Sequence, residues 1–265
     1  MISWKSSGII AIGSAISICL AVAFGPKLLG NDDALWMIVE RECVPHELRG
    51  EGPAPCSLVN LQGGVEKGYV VLKDLRGRAQ FLLIPTARIT GIESPVILEH
   101  GATNYVAEAW RAQTFVEQRL GQPIDRRDVS LAVNSQLRRS QNQLHIHIDC
   151  VRRDVRDTLN RLASSIGDRW APLGEPLAGR PFRAMRILGD ALGNTDPFSL
   201  LARDEDAGSD MGAHSLAVVG ADFPDAGPGF VILDGHVTSR FGQVANAEAL
   251  QDHACDLAKL APDHR

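Results

Sequence analysis

Strict alternation runs through residues 143–149: Gln143, His145, His147 and Asp149 are polar, and Leu144, Ile146 and Ile148 between them are apolar. A period of two marks a strand with one face on a core. The run therefore predicts a half-buried strand with both imidazoles side by side on the outward face. The same reading places strands at residues 69–73 and 80–84, joined by a turn at 74–78 with Gly77 late in it, and at 129–133. Pro85 is expected to end the second of these. Helical spacing predicts helices over residues 34–43, over 103–120 (capped by Thr103, stopped by Gly121), and from Asp154, with Val155, Leu159, Leu162 and Ile166 on one face. Residues 44–64, with Pro45, Pro53 and Pro55, read as a loop. The cluster from Pro172 to Pro181 is the best internal boundary. Beyond it, strands are expected at 182–188, 215–219 and 230–233, and helices at 197–202 and 247–260. Hairpin-linked strands in this order predict an α+β fold with an antiparallel sheet.

The first thirty residues break this pattern. Residues 8–25 carry no charge, with Lys5 before them and Lys27 after. As a helix they would span roughly 27 Å, close to the hydrocarbon thickness of a bilayer. An uncleaved transmembrane anchor (1–30) and a cleaved signal peptide both fit; the length of the run favours the anchor. Either sends residues 31–265 across a membrane. Four cysteines remain there, an even number that reads as disulfides in an exported domain. The expected pairs are Cys43–Cys56, closing the Pro-rich loop, and Cys150–Cys255, tying the histidine strand to the expected C-terminal helix. Four free thiols in a cytosolic protein is the alternative. Over 265 residues the net charge is −5 and only 5% are aromatic, which argues against nucleic-acid binding.

The His145-x-His147 pair admits three readings. It is a pair of strand histidines with no role, or two ligands of a metal such as Zn²⁺ with Asp149 as a third, or the centre of nucleophilic chemistry at phosphorus. In the last case a neutral imidazole attacks and flanking donors stabilise the phosphoryl oxygens. The density of polar groups in residues 134–150 favours it: Asn134, Arg138, Arg139, Ser140 and Gln143 accompany the two histidines.

The run Q-N-Q-L-H-I-H-I-D-C resembles the histidine-triad (HIT) motif. More of the chain resembles the bacterial CDP-diacylglycerol pyrophosphatases of that superfamily. The shared stretches are C-V-P at 43–45, G-Y-V-V-L-K-D-L at 68–75, L-L-I-P-T-A-R-I-T-G-I-E-S-P at 82–95, S-L-A-V-N-S at 130–135, R-x-D-V-R at 152–156 and D-H-x-C at 252–255. The resemblance implies a HIT-like antiparallel sheet with flanking helices, and hydrolysis of CDP-diacylglycerol to CMP and phosphatidate without metal or cofactor. It implies His145 as nucleophile and His147 as its support. Gln143 stands where the family pattern has the first histidine; it can donate a hydrogen bond but not a proton. Asn134 and Ser140 match phosphate- or ribose-contacting positions, and Arg138 and Arg139 are expected beside them. Lys73 and Asp74 are shared without an evident role. Residues 181–265 are expected to stand in for a dimer partner, leaving a monomer. The expected site faces the bacterial periplasm from an inner-membrane tether, beside its lipid substrate. Alternatives are action on other nucleotide diphosphate compounds, by hydrolysis or nucleotidyl transfer, and a non-catalytic binding module that lost activity with the first histidine.

Overall fold

The computed structural model describes Met1 and residues 32–193, 195–205, 207–236 and 246–260. The expected anchor lies outside these residues, and among them no helix is long and apolar enough to cross a membrane. Residues 32–265 form one compact unit.

Helix α1 (Ala34–Ile38) continues through a π turn (Val39–Cys43) into α2 (Val44–Leu48). The helix expected to end at Cys43 thus runs one turn further, past Pro45. Proline lacks the N–H that an α-helix would use there, and a π turn just before it changes the bonding pattern at that point. The strands and remaining helices follow: β1 (Leu58–Asn60), β2 (Tyr69–Lys73), β3 (Phe81–Pro85), α3 (Tyr105–Arg111), α4 (Gln113–Leu120), β4 (Val129–Val133), β5 (Ile146–Cys150), α5 (Arg153–Leu162), β6 (Ala171–Pro172), β7 (Arg183–Leu188), α6 (Pro197–Ala202), β8 (His214–Phe223) and β9 (Gly227–His236). Among the described residues these nine strands make one sheet, ordered β1-β2-β3-β5-β4-β8-β9-β7-β6. Each pairing is antiparallel. The fold is α+β, as expected.

Several helix boundaries differ from expectation for local reasons. Thr103 donates its hydroxyl to the Lys67 carbonyl, so Asn104 caps α3 instead, accepting from the Ala107 N–H. The predicted single helix divides at Ala112, where ψ is −2°. Asp154 lies inside α5, and its carboxylate is held by the Arg152 guanidinium at 2.8 and 2.9 Å. The final helix is absent. Residues 247–260 form two short 3₁₀ turns, Ala247–Leu250 and Leu257–Leu260. Between them Gln251 pairs with Val151 as an isolated bridge, and Cys255 adopts φ 51° where it meets Cys150. Sheet pairing and a left-handed residue are both incompatible with a continuous helix.

The sheet buries both faces. On one, Ile146 and Ile148 of β5 join Leu83, Leu131 and Val218 beneath Val106, Ala109, Trp110 and Val116 of α3 and α4. Complete burial of such side chains contributes about 1.5–3 kcal/mol each. The other face carries two separate apolar clusters. Val70, Leu82 and Ile84 pack against Val39, Cys43 and Val44. Ala132, Ala217, Val219 and Leu233 pack against Val155 and Leu159 of α5 and against Ala247 and Leu250. Strand β5 runs between them: His147 stands opposite Leu82 on one side and Ala132 on the other. The histidine face is therefore a polar seam between two apolar clusters. It is not the solvent-facing half of a half-buried strand.

Both expected disulfides are present, Cys43–Cys56 and Cys150–Cys255, 13 and 105 residues apart. Chain-entropy arguments assign the longer loop the larger effect. Replacing Cys150 and Cys255 together should lower stability in urea unfolding by about 4–5 kcal/mol, and the shorter bridge by about 3 kcal/mol. An equal or reversed order would refute the entropic account for this chain.

Candidate active site

The seam is built from β5 outward. Gln143, fully buried, donates its amide to two backbone carbonyls, Pro85 O at 3.0 Å and Ala87 O at 2.9 Å. Two acceptors on one atom fix the amide orientation, because a flipped amide would set oxygen against oxygen. The Oε1 atom is buried without a partner. Gln143 thus anchors β5 to the end of β3, and its amide protons are already committed.

His145, 7% exposed, lies 2.7 Å through Nδ1 from the Gln143 carbonyl. A carbonyl only accepts, so the proton resides on Nδ1 and the Nε2 lone pair is left available. Burial lowers the pKa of this imidazole, against the raising effects of the Gln143 carbonyl, Glu248 and Asp74. His147 carries the other tautomer. Its Nδ1 accepts from Gln80 Nε2 at 2.6 Å, which puts the proton on Nε2. That Nε2 is buried without a hydrogen-bond partner, 3.7 Å from Glu248 Oε2. Burial, followed by the charges of His145, His253 and Arg76, holds His147 well below the usual imidazole range. The two rings meet edge to face, centroids 4.9 Å apart. The chain therefore presents a bare nitrogen lone pair at His145, just before β5, and a bare N–H donor two residues on, within it.

The surroundings divide the remaining expected residues. Asn134 is buried and holds Glu248 through Nδ2 to Oε2 at 3.0 Å. Arg139 is not a free cation: its guanidinium pairs with Glu93 at 2.6 Å, and the side chain is 8% exposed. Arg138 and Ser140 are exposed on the adjoining loop. Lys73 folds back onto its own hairpin and donates to the carbonyls of Asp74, Arg76 and Gly77. Asp74 accepts from the Arg76 N–H and lies 4.0 Å from His147 Nδ1. The structure thus supplies roles that the sequence pattern left open for this pair: Lys73 closes the turn and Asp74 borders the seam.

Sequence reasoning missed four contributors. Gln80 sets the His147 tautomer, Glu248 lies over its donor, and Gln251 donates to the Ser130 and His147 carbonyls at 3.0 and 3.2 Å. His253 bonds through Nδ1 to Asp149 Oδ2 at 2.7 Å. Three of the four come from the segment misread as a helix. Its legible clues were the shared D-H-x-C stretch at 252–255 and Cys255 within it, whose pairing with Cys150 brings residues 246–255 to β5. Asp149, Cys150 and Cys255 lie close together but offer no thiolate to a metal, because the two cysteines are joined to each other.

Comparison with known proteins matches the model of the CDP-diacylglycerol pyrophosphatase family over residues 30–259. A CDP-diacylglycerol pyrophosphatase from Yersinia pestis is 40% identical over 250 residues, which cover 93% of this chain and 93% of that protein.

Gln143→Ala leaves two buried carbonyls without donors, at about 1–3 kcal/mol each. The expected loss of stability is about 2–6 kcal/mol by thermal or urea unfolding. Gln143→His restores at most one of the two bonds, because a neutral imidazole has one N–H. It should fall between wild type and Gln143→Ala, and stability equal to wild type would contradict this placement of the amide.

Proposed function

From the premise that the chain belongs to the CDP-diacylglycerol pyrophosphatase family, we propose that it hydrolyses CDP-diacylglycerol to CMP and phosphatidate through a nucleotidyl intermediate on His145. The observation that carries this reading is the His145 Nδ1–H bond to the Gln143 carbonyl, which leaves Nε2 unprotonated.

In the first step Nε2 attacks the phosphorus of the CMP moiety, a P–N bond forms, and the bridging P–O bond breaks. Phosphatidate departs with the electron pair. In the second step water attacks the same phosphorus, the P–N bond breaks, and its electrons return to Nε2. The His147 Nε2–H, which lacks a protein partner, suits a non-bridging phosphoryl oxygen whose charge grows in both steps. Gln143 acts through its two carbonyl bonds and through the carbonyl that orients His145. Asn134 positions Glu248. Arg138 and Ser140, exposed on the loop, are assigned to the outer phosphate and ribose; Arg139 holds that loop through Glu93.

The same reading places the enzyme on a membrane through residues 8–25, facing an oxidising compartment such as the periplasm. The two disulfides support export. A lipid substrate and a tether restrict the search to two dimensions. Residues 181–265 extend the sheet directly, β8 pairing with β4, which supports their standing in the place of a second subunit.

The test is turnover of labelled CDP-diacylglycerol by wild type and His145→Ala, with and without chelator. CMP release by wild type alone, unchanged by chelator and lost by roughly 10⁴-fold in the variant, is expected. Release that survives in His145→Ala would exclude the nucleophile assignment. His145 must be neutral to attack, so the rate falls as pH drops through its pKa. Burial places that pKa below the ordinary imidazole value of about 6.5. The acidic limb of the pH–rate profile is expected below that value.

A further inference from the structure

We propose that His253 is the catalytic acid and base of this reaction, supplying from a separate segment the proton transfers that Gln143 cannot make. The proposal rests on the assignment of His145 as nucleophile.

Proton transfer can assist the reaction at two points, to the departing phosphatidate oxygen and from the attacking water. The groups already assigned make neither transfer. Gln143 has no titratable proton, and both its amide hydrogens are spent on carbonyls. Burial holds His147 toward its neutral form, with its proton on the nitrogen assigned to the phosphoryl oxygen. His253 has the geometry of an acid–base group: an imidazole oriented by a carboxylate on one nitrogen, with the other nitrogen free.

Asp149 lies two residues beyond His147 on the same face of β5. Its side chain is wholly buried, and it accepts from His253 Nδ1 at 2.7 Å. A carboxylate buried this deeply is costly unless paired. Here Cys150 N–H and His253 satisfy it. The His253 side chain is 39% exposed, and its Nε2 lies 3.7 Å from Glu248 Oε1. The other Glu248 oxygen lies 3.7 Å from His147 Nε2. Both imidazoles thus face one carboxylate across one small space. Glu248 also acts electrostatically on His145, so the proposed nucleophile and both imidazoles border the same carboxylate.

The backbone holds His253 there. Arg78 N–H donates to its carbonyl at 2.8 Å, Asp252 N–H donates to Cys150 O at 2.8 Å, and Cys255 is bonded to Cys150. A solvated surface histidine needs none of these restraints.

The proton balance closes over the two steps. Charged His253 gives its Nε2 proton to the bridging oxygen as the P–O bond breaks, so phosphatidate leaves protonated. Neutral His253 then takes a proton from water as the new P–O bond forms and the P–N bond breaks. The site returns to its starting state with CMP released.

Several groups face His253: Asp149 and His147 on β5, Asp74, Arg76 and Arg78 on the β2–β3 hairpin, and Glu248 and Asp252 on its own segment. The Asp149 bond, with Glu248 and Asp74, raises the His253 pKa. The acid form is therefore present below that raised value and lost as pH climbs through it. Together with the neutral His145 requirement, this produces a bell-shaped profile whose alkaline limb belongs to His253.

The test is single-turnover kinetics on the full chain, with both disulfides verified by thiol titration. His253→Gln should slow turnover by roughly 100-fold or more and abolish the alkaline limb. Nucleotidyl-enzyme should form slowly in this variant and persist, detected by intact mass. Added imidazole should restore part of the rate to His253→Ala, which a purely structural role would not allow. Asp149→Asn should shift the alkaline limb to lower pH. A wild-type rate in His253→Gln, or an unchanged alkaline limb, overturns the proposal. Absence of nucleotidyl-enzyme from every protein, with the alkaline limb still lost in His253→Gln, removes the covalent step. It leaves His253 as the acid–base group for direct attack by water.

Discussion

One hydrogen bond sets which nitrogen of His145 is open to the proposed chemistry: Nδ1–H to the carbonyl of Gln143, two residues back in the chain. A neutral imidazole has one proton for two nitrogens. Spending it on the backbone leaves the outer nitrogen nucleophilic. At His147 the choice is reversed by Gln80. Two identical side chains two residues apart therefore carry opposite hydrogen-bonding characters, set by what each meets behind it. Burial reinforces both by disfavouring the charged forms.

Such burial requires a sheet that can hold polar groups inside. The fold provides it by leaving a gap between the cluster beneath α1 and α2 and the cluster beneath α5. The gap coincides with β5. Either cluster extended by one strand would bring apolar side chains over the imidazoles. The seam is roofed by residues 246–255, which deliver Glu248, Gln251 and His253 and are held by a disulfide, an isolated bridge and side-chain bonds to β4 and β5.

The legible parts of the sequence were those governed by short-range periodicity. Strand β2 and helix α6 lie where alternation and helical spacing put them, and Gly121 ends its helix at φ 76°. The two disulfides followed from counting cysteines and closing loops. The misreadings share one cause, which is tertiary contact overriding local preference. Residues 247–260 have helix-compatible composition, but Gln251 is drawn into pairing with Val151 and Cys255 into a bond with Cys150. Alternation at β5 correctly assigned which residues share a face. It could not report that the second face is covered, because the cover comes from elements far away in the chain. For the same reason the sequence did not show that Arg139 is neutralised: its partner Glu93 lies 46 residues earlier.

The dependence of the seam on residues 246–255 also sets an order of events during synthesis. A nascent chain that has reached Cys150 already contains both strand histidines, their glutamines and all of β1 to β5. It still lacks the partner of Asp149, the carboxylate over His147 and the second half of the longer disulfide. About a hundred further residues must be translated and brought back to β5 before the proposed machinery is complete. By then β7, β8 and β9 have been made as well, so the assembly of the proposed catalytic centre reports that the whole sheet has been synthesised.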